Sequence, residues 1–221
     1  MNYDESVATP NNLYISGLLS DSSLLVEQTG RGGGYAMKVH PVIGYYWLRM
    51  PLCAITDRQV KVADVIRDEG KMLTHIDRID SFDHPQVRQF FRNTLPPKSV
   101  YRNDPIFHAV NEIATRNGII CVERLAKRHF MSVRTFHRHF IEKVGLSPKA
   151  YAKIWQLQYA MKLIQQRPEL SLERLSYAAG YYDAAHLAGD FKTRVSLPPT
   201  TYRQYINPLS QQYLGAAQSL L

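Results

Sequence analysis

Through the second half of the chain, apolar residues recur at the three- and four-residue spacing of helices that bury one face. Between Ser132 and Phe140 the apolar positions Val133, Phe136 and Phe140 fall on one stripe, and Arg134, His137, Arg138 and His139 project away from it. Ser132 stands where a capping side chain can accept from the first free amides. Residues 122–128 predict a preceding short helix, separated from the next only by His129, Phe130 and Met131. Two helices so joined make a helix-turn-helix, whose second member has the shape to enter a DNA major groove. The unit recurs. Ser171 to Gly180 reads as a capped helix ending at glycine, and a further helix runs from Asp183 to about Arg194. Between the units, Gly145-Leu146-Ser147-Pro148 opens a helix that meets no breaker until about Gln166, with Tyr151, Ile154, Trp155, Leu157, Met161 and Ile164 as its apolar positions. Its roughly 28 Å of length suits a rod holding two reading heads on successive grooves about 34 Å apart.

The first half is patterned differently. Leu13-Tyr14-Ile15 and Leu24-Leu25-Val26 are short apolar runs that predict strands, and Gly30 to Gly34 predicts a hairpin loop. No Lys-Ser/Thr follows those glycines, as a phosphate-binding loop would require. Pro41 to Trp47 predicts a short helix ending near Pro51. Its Tyr45, Tyr46 and Trp47 can line an effector pocket, although aromatic clusters of this size more often fill a core. Short helices are expected from Thr56 through Val60, Val62, Val65, Ile66, Leu73, Ile76 and Ile79. A clearer helix starts at Asp83-His84-Pro85. Pro96-Pro97 and Asp104-Pro105 bracket a boundary, dividing the chain into an N-terminal regulatory domain (1–97), a linker (98–104), a helical domain (105–206) and a tail (207–221). The expected fold is an α+β N-terminal domain followed by an all-α domain of two helix-turn-helix subdomains joined by a linker helix.

Charge sharpens this division. The 221 residues carry a net charge of +8, and residues 105–221 hold 15 Lys and Arg against 7 Asp and Glu, whereas residues 1–104 hold 12 of each. A neutral half joined to a basic half suits a sensing or assembly unit attached to a polyanion-binding one. Cys53 and Cys121, the only cysteines, are too few for a disulfide framework or a four-cysteine zinc site, and both are expected to be buried and reduced. No apolar run is long enough to span a bilayer, and the N-terminus lacks the features of a signal peptide. A cytoplasmic location without membrane contact is expected.

With these residues laid out, residues 105–206 resemble the AraC/XylS family of bacterial transcription regulators. The resemblance rests on the stretch from Ser132 to Phe140, on Gly145 to Pro148, on Gly180-Tyr181-Tyr182-Asp183 with His186-Leu187, on Asp190-Phe191-Lys192, and on Pro199 with Tyr202-Arg203. It implies sequence-specific binding to double-stranded DNA and activation through RNA polymerase, with no cofactor. The N-terminal half more weakly resembles an AraC-like effector domain around residues 44–65, but is short for a complete barrel. A small-molecule effector and a homodimer both remain open.

By that resemblance Arg134, His137 and Arg138 would contact base edges, and Arg128, Lys192 and Arg194 would hold phosphates. The equivalent reading positions of the second unit are Ala184, Ala185 and Gly189, and Gln156 stands where the linker helix commonly carries arginine. Alanine offers a methyl group to a base and glycine offers nothing, so the second head is expected to read weakly. Two rival readings follow. In one, the chain has lost autonomous DNA binding and modulates another regulator. In the other it is an enzyme, like DNA-repair methyltransferases with a similar module, but two isolated cysteines cannot build their zinc-bound cluster.

Overall fold

The computed structural model describes residues 14–20, 38–66 and 85–204. The strand expected at 24–26, the glycine hairpin, the helices over 67–79, the Asp83 cap and the tail 207–221 lie outside the described residues.

What is described is mostly helical, with one small sheet. Tyr14–Ser16 (β1) pairs antiparallel with Gln59–Lys61 (β2), setting Ile15 opposite Val60. The sequence pattern predicts helix around Val60, and here the structure differs. Gln59 and Lys61 face outward on either side of the half-buried Val60, an alternation that suits a strand once a partner is available. A single helical turn, Val62–Val65 (α2), follows directly.

Upstream, Pro41–Leu48 (α1) starts at His40, whose Nδ1 accepts from the amide of Val42 at 3.2 Å, and leads into a 3-10 turn at Leu52–Ala54. Beyond the proline-rich boundary the helices are Pro85–Thr94 (α3), Lys98–Tyr101 (α4), Pro105–Thr115 (α5), Val122–Arg128 (α6), Val133–Val144 (α7), Pro148–Gln166 (α8), Leu172–Ala178 (α9), Ala184–Val195 (α10) and Pro199–Gln204 (α11). The starts of α5, α7, α8, α9 and α10 carry the side-chain caps read from the sequence, at Asp104, Ser132, Ser147, Ser171 and Asp183.

Two hydrophobic clusters lie along the helical half. One gathers Ile106, Val110 and Ile113 of α5, Leu125 of α6, Phe136 and Phe140 of α7, and Tyr151 and Ala152 of α8. The other gathers Leu157, Ala160 and Ile164 of α8 with Leu175, Leu187, Phe191 and Tyr202. Helix α8 therefore gives its first turns to one cluster and its remainder to the other.

The described N-terminal stretch packs on the first cluster. Val42 is fully buried within it, and the hydroxyl of Thr56 donates to the carbonyl of Gly145 at 2.8 Å. Gly145 has φ 90, and a Cβ there would lie 2.7 Å from Thr56 Oγ1 and 3.1 Å from the Leu52 carbonyl oxygen. The glycine that ends α7 is thus also the floor on which the 3-10 turn sits. Among the described residues no helix is long and apolar enough to cross a membrane. Both cysteines are free, but Cys53 is exposed and Cys121 half-buried, contrary to the expected burial, because neither occupies an inward helical position.

Candidate nucleic-acid interface

Helices α6 and α7 are joined by a tight turn. Met131 N–H bonds back to the carbonyl of Ala126 at 3.0 Å, closing α6, and Phe130 takes the left-handed conformation at φ 55. Ser132 Oγ then accepts from the amide of Thr135 at 3.1 Å and starts α7. Phe136 and Phe140 are fully buried, their ring centres 5.6 Å apart, and this fixes the rotation of the helix. Arg134, His137 and Arg138 share its exposed side, as the periodicity predicts. Val133 is 45% exposed instead of packing with the phenylalanines, and His139 is half-buried, its Nδ1 3.6 Å from Glu142.

The second pair repeats the design. Tyr181 N–H bonds to the carbonyl of Ser176 at 2.8 Å, Gly180 takes φ 73, and Asp183 Oδ1 accepts from the amide of His186 at 2.7 Å. Leu187 and Phe191 are fully buried. On the outer side lie Ala185 and Gly189, with Ala184 half-buried. An added Cβ at Gly189 would meet open space, so no packing demand accounts for the glycine. Lys192 is exposed beside it.

Two of the expected positions are engaged within the fold. The side chain of Arg194 is 14% exposed, its Nε pairs with Asp190 Oδ1 at 3.1 Å, and its Nη1 donates to the carbonyl of Ser20 at 2.5 Å. Asp190 Oδ2 also accepts from the hydroxyl of Tyr181 at 2.7 Å. Burial, then the hydrogen bond to that carboxylate, raises the tyrosine pKa well above its usual range. Gln156 is buried, 8% exposed, and its Nε2 donates to the carbonyls of Ala179 at 3.0 Å and Gly180 at 2.7 Å. It ties the linker helix to the turn of the second pair. The inward spacing Ala152, Gln156, Ala160, Ile164 is the signal that would have revealed it.

Arg128 is exposed but shares Glu112 with Arg116, so part of its charge is already matched. The aromatic residues of α1 face the first helix pair. The hydroxyl of Tyr45 donates to Glu142 at 3.0 Å and that of Tyr46 to Asp104 at 2.9 Å, while Trp47 lies against Phe91 with ring centres 5.8 Å apart. Asp104 holds together three elements, since it also caps α5 and pairs with Lys143 of α7. These contacts engage Tyr45 and Tyr46 in packing, the more frequent role of such aromatic clusters. A cleft of about 300 Å³ lies elsewhere, lined by Arg116, Ile119, Ile120, Cys121, Arg124 and Arg128.

Residues 125–205 match a family described as a helix-turn-helix domain. This segment is an AraC-type helix-turn-helix domain. Curated relatives include the HTH-type transcriptional activators RhaS of Citrobacter koseri, 29% identical over 92 residues (42% of this chain and 33% of that protein), and of Klebsiella pneumoniae, 29% identical over 85 residues (38% and 30%). The chain thus spans about a third of the length of these relatives. A solved structure with likeness to the chain is the DNA-binding domain of AdpA, a global transcriptional factor, in complex with a target DNA. It is 26% identical with a TM-score of 0.43, covering 46% of this chain and 92% of that one.

Proposed function

We propose that the chain is a sequence-specific DNA-binding transcription regulator that activates, reading bases chiefly through α7. The observation that carries this reading is the joint exposure of Arg134, His137 and Arg138 opposite the buried Phe136 and Phe140, on the second helix of an AraC-type unit. Arginine can pair bidentately with guanine O6 and N7, and histidine can donate or accept at a base edge. Lys192 and Arg128 hold phosphates, and Arg194 is reserved for the fold. The two helix pairs act as subdomains on α8, and the N-terminal part, up to about residue 97, is the regulatory partner of the first. Activation is supported by the RhaS transcriptional activators among the relatives, and RNA polymerase is the partner that the family resemblance implies. The bare outer side of α10 favours the second reading, a modulator of another regulator that no longer binds DNA alone.

Titration of labelled duplex DNA, with random and selected sequences at several salt concentrations, separates the two. With roughly 5–8 phosphate contacts, log K falls with log salt at about −0.9 per contact. Arg138→Ala is expected to weaken a selected site by about 1–3 kcal/mol and to relax one base position, whereas Lys192→Ala weakens all sequences alike. Salt-independent binding would exclude the phosphate contacts, and no binding at low salt would sink the proposal in favour of the modulator.

A further inference from the structure

Phe130 combines two unfavourable features. Its side chain is 99% exposed, and its backbone lies in the left-handed region, where a Cβ crowds the neighbouring carbonyl. The second helix pair meets the same geometric demand with Gly180, after an equivalent bond closing α9. Glycine is what the turn favours, yet the chain places a phenyl ring there, with nothing among the described residues to cover it. Strain retained at an exposed position is a mark of a contact made outside the chain.

The second head has its own version. Tyr182, 81% exposed, stands immediately before the Asp183 cap of α10, as Phe130 stands two residues before the Ser132 cap of α7. Each ring therefore sits at the entry of a helix assigned to a groove. The surroundings of Phe130 are cationic, with Lys127 and Arg128 before it and Arg134 beyond it, all exposed. Cations around an apolar ring match a DNA strand, where charged phosphates alternate with the apolar flanks of deoxyribose.

We propose that Phe130 and Tyr182 are DNA contacts, each ring lying against the deoxyribose edge of the strand that borders its groove. This rests on α7 and α10 being groove helices. It adds to each head an apolar anchor that positions the helix without reading sequence.

The test uses the full chain and a labelled duplex, with Phe130→Ala, Phe130→Gly, Tyr182→Ala and Tyr182→Phe titrated at three salt concentrations. Loss of either ring is expected to weaken binding by about three- to tenfold, as for partial burial of one aromatic side chain. The salt slope stays unchanged, because no phosphate charge loses its partner. Tyr182→Phe keeps the ring and binds like the parent. Phe130→Gly melts higher than the parent while binding less tightly, which separates affinity from folding. If the parent binds and both ring-deleted forms bind within twofold of it, the rings do not touch DNA and this inference alone falls; that outcome would turn the surface towards a protein partner. If the parent binds no duplex at low salt, the groove-helix reading fails and takes this inference with it.

Discussion

His40 shows how one buried side chain gives the fold a dependence on pH. Its Nδ1 caps α1 and its ring lies 4.4 Å from that of Phe107, so it must stay neutral to serve as acceptor. Burial lowers its pKa from 6.5 to about 4, only partly opposed by a hydrogen bond with Asn111. Between those two values the unfolded chain binds more protons than the folded one, so stability falls as pH drops from about 6.5 to about 4 and levels below that. Thermal melts at pH 7 and pH 4.5 should show a smaller difference for His40→Asn, which keeps a capping acceptor and removes the titration. An unchanged difference would assign the acid sensitivity to other groups. Side chains differed in how far the sequence revealed them. Arg134, His137 and Arg138 were legible because helical periodicity alone decides which side they share. Arg194 was not, because its partner Ser20 lies 174 residues away and no local pattern announces it.

Elements that depend on their own caps and breakers were legible in the same sense, and those that depend on a distant partner were not. Helix α8 runs over the 19 residues that Ser147-Pro148 and the absence of breakers indicate, whereas β2 has no such signature because three residues do not define a period until β1 pairs with them. The less visible property of α8 is that it belongs to two clusters, with Gln156 between them. Replacing Gln156 by Leu leaves the carbonyls of Ala179 and Gly180 without these donors, a loss of about 1–3 kcal/mol for buried polar groups. Hydrogen exchange should then quicken in α9 and α10 while α5 to α7 keep their protection. Gln156→Arg, which retains donors, should preserve protection in both. Equal loosening of both clusters on Gln156→Leu would mean that the side chain stabilises α8 itself and not its hold on the second unit.

At the scale of the whole molecule, the charge asymmetry places a neutral half against the first helix pair of a basic half, and the two pairs differ in the side chains that their second helices expose. Division into neutral and basic parts was visible in composition; the fastening of one to the other through Tyr45 and Thr56 was not, since each partner is more than 80 residues away. Helix α7 offers three base-capable side chains, whereas α10 offers two methyl groups and a glycine. Sites selected from a random duplex pool should accordingly contain one well-defined half and one nearly free half, with the apolar ring of Tyr182 and the charge of Lys192 giving the second head affinity without sequence. Gly189→Arg probes the cause directly. The position is exposed and an added side chain meets open space, so the change removes a helix-interior glycine, worth about 1 kcal/mol, without a clash. It should raise the melting temperature, tighten binding and bring a preferred base, guanine foremost, into the free half. A tighter complex with no new base preference would mean that the arginine reaches only phosphate. Two equally constrained half-sites for the parent chain would mean that α10 already reads DNA, through its shape or through His186, and the asymmetry between the heads would be lost.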